Sequence, residues 1–457
     1  MSSSKNPPGA ADARGDRSPI RWVSSLYFVQ GMQFFVVMLI AGLMFKNMGV
    51  ANDQIARWTG LLGLAWAFKP LWSPFLELAR SKKLIVVAGQ YTGAVGLGLM
   101  AVALQLPMWF AASIAVLFLL AYASATHDIA CDGLYMASLD DKQQAAYAGW
   151  QGAFFNASKF LTLGGLLVLA GHLERGIGVM NAWSVIFAML AVLLFVLASY
   201  NAYALPGALN TDHGDLTVAG VWQTLREVIA DFLKKPGIWL MVLFIVMFRF
   251  AEGQVQTIGP LFLIEPREKG GLGLTTEQVG GIYGTVGTAA FLVGSIVGGY
   301  FTSWLSLRRA MPILIVAMAV PNATFYYLAV TMPADLWHVG AAVAIEMLGY
   351  GFGFVGMILF IMQVVAPGKY QTAHYALGSG VMQLGFILSK TISGDIQIAM
   401  GYEHFFLWTI GCGAPALILL LFVRMPGKAT DKGKGKGKGK GKGKGDAHAP
   451  TPIESAT

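Results

Sequence analysis

Runs of about twenty apolar residues follow one another along most of this chain, with short polar breaks between them. A run of that length matches the hydrocarbon thickness of a bilayer. Backbone placed there must satisfy its own N–H and C=O groups, and a helix does so. Of 457 residues, 56% are hydrophobic and only 12% are charged. A soluble domain carries about twice that charge. The sequence therefore predicts an all-α polytopic membrane protein with twelve transmembrane helices. They are expected at 22–46, 54–77, 84–105, 108–137, 145–172, 178–203, 237–265, 277–304, 310–332, 336–364, 370–399 and 403–424.

The polar breaks divide the chain. Residues 1–21 are polar, carry no apolar leader segment and are expected to be a disordered cytoplasmic N-terminus. A first six-helix half covers 22–203 and a second covers 237–424. Between them, 204–236 begins polar, turns amphipathic from Val218 to Phe232 and ends in Lys234-Lys235-Pro236. It reads as a cytoplasmic linker lying on the membrane surface. The tail 425–457 alternates Gly and Lys, cannot bury a core and is expected to be disordered. Seven of its lysines supply nearly all of the formal +8 charge, so the basic balance does not suggest a nucleic-acid partner. Cys131 and Cys412 both lie in apolar runs and imply no disulfide framework.

With the N-terminus inside, Lys and Arg crowd the cytoplasmic segments. Only Lys46, Arg57, Arg175, Arg267 and Lys269 fall on the other side. That bias predicts both termini in the cytoplasm. The two halves also repeat. Tyr27-Phe28-Val29-Gln30-Gly31 matches Arg249-Phe250-Ala251-Glu252-Gly253. Asp53-Gln54-Ile55 with Gly60 and Gly63 matches Glu277-Gln278-Val279 with Gly284 and Gly287. Ser158-Lys159 matches Ser389-Lys390. A six-plus-six repeat of this kind puts a solute site between the halves near the midplane.

Ionisable residues inside a bilayer are costly and normally face a cavity or a partner. Asp128 and Asp132 are four apart in the fourth span, so they share a helix face. Two carboxylates this close do not both carry charge cheaply, and the pair is a candidate proton-coupling site. The competing reading ends the span earlier and leaves Asp132 among the headgroups. His127 lies about 100° around the helix and is expected to hydrogen-bond a neighbouring helix. Arg249 and Glu252, three apart in span 7, are expected to pair on one face. Arg249 would also suit a solute carboxylate, because its guanidinium binds bidentately. Glu252 is a second proton candidate, and Glu346 is a further buried carboxylate. Gln30, Lys159 and Lys390 are candidate solute contacts. Lys69, followed by Pro70-Leu71-Trp72-Ser73-Pro74, is expected to reach the cytoplasmic rim as a gate or loop anchor.

His127-Asp128-Ile129-Ala130-Cys131-Asp132-Gly133 resembles a span-4 signature of the peptide–acetyl-coenzyme A–drug transporter branch of the major facilitators. Tyr27 to Gly31, Lys69 to Pro74 and Tyr370-Gln371-Thr372-Ala373-His374-Tyr375-Ala376-Leu377 resemble its spans 1, 2 and 11. Arg249 to Gln254 is similar to AmpG-like permeases of that branch. His127 departs from the usual Gln. Glu77 and Arg80 would be the branch's charged loop after span 2, here shortened, and count as gate or loop-anchor candidates. The resemblance implies a major facilitator fold and proton-driven movement of a bulky polar solute. For the AmpG type that solute is an anhydro-muropeptide.

The expectation is a proton-coupled transporter, acting as a monomer on a small solute in contact with membrane lipid. The alternatives are another anionic solute, such as a siderophore or acyl-coenzyme A, drug efflux, or a membrane sensor that transports nothing. No enzyme activity or cofactor is expected: the chain has no nucleotide-binding loop, no HExxH and no Cys/His metal cluster.

Overall fold

The computed structural model describes residues 18–76, 81–139, 141–207, 218–423 and 425. The first half holds α1 (Pro19–Asn47), α2 (residues 52–76), α3 (Lys82–Ala103), α4 (Trp109–Ser138), α5 (residues 141–177) and α6 (Val179–Ala204). The linker helix Val218–Leu233 follows. The second half holds α7 (Ile238–Ile264), α8 (Thr276–Leu305), α9 (Leu307–Thr331), α10 (Leu336–Val365), α11 (residues 371–400) and α12 (residues 402–422). Odd-numbered helices run away from the linker end, and even-numbered helices return to it.

Among the described residues, ten segments are long and apolar enough to cross a membrane. One of them, Ala373–Phe422, has 50 residues and reverses at Gly401, whose φ of 75° and ψ of 168° suit only glycine. It therefore makes two passes, α11 and α12. The remaining pass, α2, is less apolar: it carries Asp53, Arg57 and Lys69, and has Pro70 and Pro74 within it. Twelve passes result, as the apolar runs predict.

The sequence repeat is also a repeat of contacts. Gly31 of α1 sits against Ser158 and the Phe155 carbonyl of α5. Gly253 of α7 sits against Ser389 and the Phe386 carbonyl of α11 in the same way. A methyl group at either glycine would overlap the facing backbone, so each Gly-Ser pair lets two helices touch. Between the halves, α2 packs along α11, and α8 packs on α5.

Those two interfaces differ in extent. The α5–α8 contact lies along residues 160–177 and 276–287, both toward the end away from the linker. The hydrophobic core follows the same plan. At the far end one cluster runs through both halves, joining Leu62, Leu117 and Phe187 to Ile258, Phe325 and Phe405. Toward the linker end it parts in two. Trp22, Leu26 and Leu134 stay with the first half, and Phe244, Met311 and Phe360 with the second. The buried apolar core is thus shared by the halves at the far end and divided between them toward the linker end, while α2 and α11 stay in contact from Asn52 and Gly394 to Ala67 and Gly380. Outward-facing apolar side chains such as Val192, Phe195, Ile296, Ile345 and Leu421 are exposed on the bundle surface, where lipid would cover them.

Gly284 of α8 lies against the Leu163 carbonyl and Gly164 of α5, whereas Gly281, three residues earlier, has nothing within 4 Å of a built Cβ. Gly284→Ala is expected to push α5 and α8 apart and cost about 1–3 kcal/mol. Gly281→Ala should be neutral or slightly stabilising. Thermal unfolding of the two variants in detergent measures the contrast. Equal unfolding temperatures would refute the tight contact.

Candidate functional site

The first polar cluster stands where α1, α2 and α4 converge. Asp128 and Asp132 do share a face of α4, and that face meets α1. Gln30 donates to Asp128 Oδ1 and Lys69 donates to Asp128 Oδ2. Tyr27 donates to Asp132 Oδ1 at 3.0 Å and accepts from Gln151 of α5 at 2.9 Å. Both carboxylates thus lie within the helix bundle, Asp128 buried and Asp132 half-buried. Lys69 departs from its expected course: it does not reach for the rim but forms an ion pair with Asp128. Asp128 offers an opposite charge within reach, and a charge-assisted bond to it outweighs the gain from extending into the headgroups. Glu77 and Arg80 fall outside the described residues.

His127 faces the other way. Its ring Nε2 accepts from Gln90 of α3 at 3.0 Å. Asn201 of α6 donates to the Gln90 carbonyl oxygen at 3.1 Å, and Ser25 of α1 donates to Asn201 at 2.5 Å. This buried row ties four helices together, as the position of His127 on the helix suggested.

The second cluster occupies the second half. Glu252 lies at the place in α7 that Gln30 occupies in α1, and Glu346 comes from α10. Gln256 donates to Glu346 at 3.3 Å and accepts from Tyr283 of α8 at 2.8 Å. Neither oxygen of Glu252 has a hydrogen-bond partner of good geometry among the described residues. The expected Arg249–Glu252 pair does not form. The Arg249 guanidinium lies over Phe386 at 4.7 Å and Phe354 at 5.0 Å, and reaches Tyr350 only at 3.5 Å. Aromatic faces hold it where a carboxylate was expected, because a weakly hydrated planar cation stacks well in a dry site.

The two repeated lysines have separate fates. Lys159 sits between Phe291 of the second half, at 5.0 Å, and Phe35 of the first, at 5.9 Å. It lies within electrostatic reach of Glu252 and Glu346. Lys390 is buried and donates to the Met38 carbonyl of the first half at 3.0 Å. That carbonyl belongs to a π-turn, Val36–Ile40, whose widened geometry frees backbone acceptors. Lys390 is thus a tie between halves and not an open solute contact. Asp395 pairs with Arg57 of α2 at 3.1 Å.

Sequence reasoning missed a polar seal at the far end. Lys46 donates to Glu265 and, at 2.8 Å, to Asn52. Asn52 donates to Gln397 at 2.7 Å and Tyr402 at 2.8 Å, and Tyr402 donates to Glu265 at 2.9 Å. Glu174 accepts from Asn47 at 2.8 Å and Thr276 at 2.7 Å. Arg175 reaches Glu277 at 2.6 Å. Each set joins the two halves. A cavity of about 1030 Å³ opens over it, lined by Lys46, Asn52, Glu174, Glu265, Gln397 and Tyr402 together with Lys269, Glu403 and His404. The available signal was a set of opposite charges beside span ends on the side otherwise poor in Lys and Arg. Among the described residues, no three His, Cys, Asp or Glu side chains converge as a metal site.

Residues 23–390 match the family model described as Major Facilitator Superfamily. An anhydromuropeptide permease of Escherichia coli strain K12 is 27% identical over 379 residues, covering 80% of this chain and 71% of that protein. The crystal structure of the nucleoside transporter NupG matches with a TM-score of 0.66 at 16% identity, covering 88% of this chain and 98% of that one. A bacterial homologue of the human lysosomal transporter Spinster matches with a TM-score of 0.63 at 13% identity, covering 91% and 96%. The two structural likenesses establish the fold alone.

His127→Ala should strand Gln90 and with it the row to Ser25. The expected cost is about 1–3 kcal/mol, seen as a lower unfolding temperature. The pH profile of the protein's activity should keep its shape. A changed pH profile at unchanged stability would make His127 a proton carrier instead.

Proposed function

The chain belongs to the Major Facilitator Superfamily, and from that membership we propose that it takes up a muropeptide or related amino-sugar saccharide in symport with protons. That it is a multi-pass transporter follows from the family and the fold. The solute and the coupling ion are the proposal. The observation that carries it is the Asp128 carboxylate, held by Gln30 and Lys69 inside the helix bundle. An ionisable group there exchanges protons with whichever side the bundle opens to, and its charge alters the fit of the halves.

The solute class is supported by the relationship to an anhydromuropeptide permease and by two cations buried within the bundle. Arg249 keeps its Nε without a partner among the described residues, and Lys159 has aromatic neighbours in place of an ion pair. Both suit carboxylates of a peptide or lactyl group. Gln30, whose carbonyl oxygen also has no partner among the described residues, suits a sugar hydroxyl or acetamido N–H. Protons are assigned to Asp128 and Asp132, with Glu252 as a second acceptor. The Lys and Arg bias puts the linker end in the cytoplasm of the inner membrane's host cell. The Lys46–Glu265 seal then faces out.

Reconstituted vesicles with an inward proton gradient test this, using labelled N-acetylglucosaminyl-anhydro-muramyl peptide. Uptake is expected only with the gradient and falls to background in Asp128→Asn. Gradient-driven uptake untouched by that variant moves the proton to Glu252. No uptake by folded protein rejects the muropeptide and leaves another anionic solute, such as a siderophore.

A further inference from the structure

Lys159 and Lys390 stand at the same place in the two halves, but only Lys159 has acids near it. Glu252 and Glu346 act on Lys159. Among the described residues, no carboxylate lies within electrostatic reach of Lys390, which is only 4% exposed. Asp395, five residues on, is paired with Arg57. An ammonium carries three donors. One goes to the Met38 carbonyl at 3.0 Å, and the other two have no partner among the described residues. A buried charge with no counter-charge is costly, so this one calls for an anion.

Beside the ammonium lies a cavity of about 20 Å³. That is room for one particle about the size of a water molecule. Both halves wall it: Met38 of α1 and Thr59 of α2 on one side, and Thr257 of α7, Tyr283 of α8 and Lys390 of α11 on the other. Thr59 donates to the Ile55 carbonyl at 2.7 Å, and Thr257 to the Gly253 carbonyl at 2.7 Å. Both carbonyls also serve helix N–H groups, so either hydroxyl can turn into the cavity at little cost. Tyr283 donates to Gln256 at 2.8 Å. Glu252 and Glu346 are within reach of Tyr283 but do not line the cavity.

We propose that this cavity is a halide site, holding one chloride ion between the Lys390 ammonium and the Thr59 and Thr257 hydroxyls. A water molecule would fill the room but leave the charge of Lys390 unmet. A solute carboxylate would meet the charge but exceeds the room. A monatomic anion does both. Its ligands come from both halves, so chloride binds while the halves meet at this end and favours that arrangement in turn, as linkage requires. The site does not depend on which solute the chain carries.

Thermal unfolding of the full-length protein in detergent tests this, with chloride or bromide replacing gluconate at constant ionic strength. The wild-type unfolding temperature is expected to rise saturably with either halide, because a ligand bound to the folded state stabilises it. Thr59→Val should need more halide for the same rise, and Lys390→Met should show no rise. No halide-specific rise in the wild type overturns the proposal and leaves the cavity to water. A rise retained in Lys390→Met also overturns it, since the halide then binds elsewhere. If Lys390→Met does not fold, wild-type crystals soaked in bromide decide. An anomalous-scattering peak beside Lys390 Nζ upholds the site, and its absence there overturns it.

Discussion

A carboxylate inside a membrane bundle has no water to solvate it, and the interior of this protein is arranged around that fact. Asp128 receives one donor on each oxygen, from α1 and from α2. Lys390 finds a backbone carbonyl in the opposite half. His127, Gln90, Asn201 and Ser25 complete one another in a row. Among the described residues, buried polar atoms without a partner include both oxygens of Glu252, one of Glu346, Nε of Arg249 and Oε1 of Gln30, and also both amide atoms of Gln33 and of Asn322. Native interiors leave few such groups unmet, and those that remain call for something else to meet them. In a transporter, a solute or a proton fills that part.

The repeat supplies the frame on which these groups are set. Gly31 and Gly253 make the same backbone contact in the two halves, and each is preceded by a polar residue aimed inward. In the first half that residue is Gln30, which donates to an acid on α4. In the second it is itself the acid, Glu252. One scaffold thus carries an amide at this position in one half and a carboxylate in the other. Lys159 and Lys390 diverge similarly, because only α1 offers a π-turn carbonyl to the lysine opposite it.

The passes, the internal repeat and the shared face of Asp128 and Asp132 were legible in the sequence, because each depends on spacing along a single helix. Contacts between helices were not. The i, i+3 spacing of Arg249 and Glu252 allowed a pair, but Phe354 and Phe386 arrive from α10 and α11 and take the guanidinium. Lys69 looked like a residue for the rim, because nothing local says that Asp128 stands opposite it. The far-end seal was least visible. Lys46, Asn52, Glu265, Gln397 and Tyr402 lie at the ends of five segments and acquire a common purpose only when both halves are present.

The π-turns are spread over both halves: Val36–Ile40 in α1, Phe160–Leu166 in α5, Gly280–Gly287 in α8 and Ile361–Val365 in α10. Each holds surplus chain, one residue more than an α-helix needs for the same rise. Such a surplus can travel. If the wide turn steps along the helix by one residue, the stretch it crosses rotates by about 100° while both ends stay anchored. The segment around Lys159, next to one of these turns, therefore has a way to rotate about its axis without any helix breaking. A transporter built from rigid rods would have to tilt whole helices to achieve the same turn.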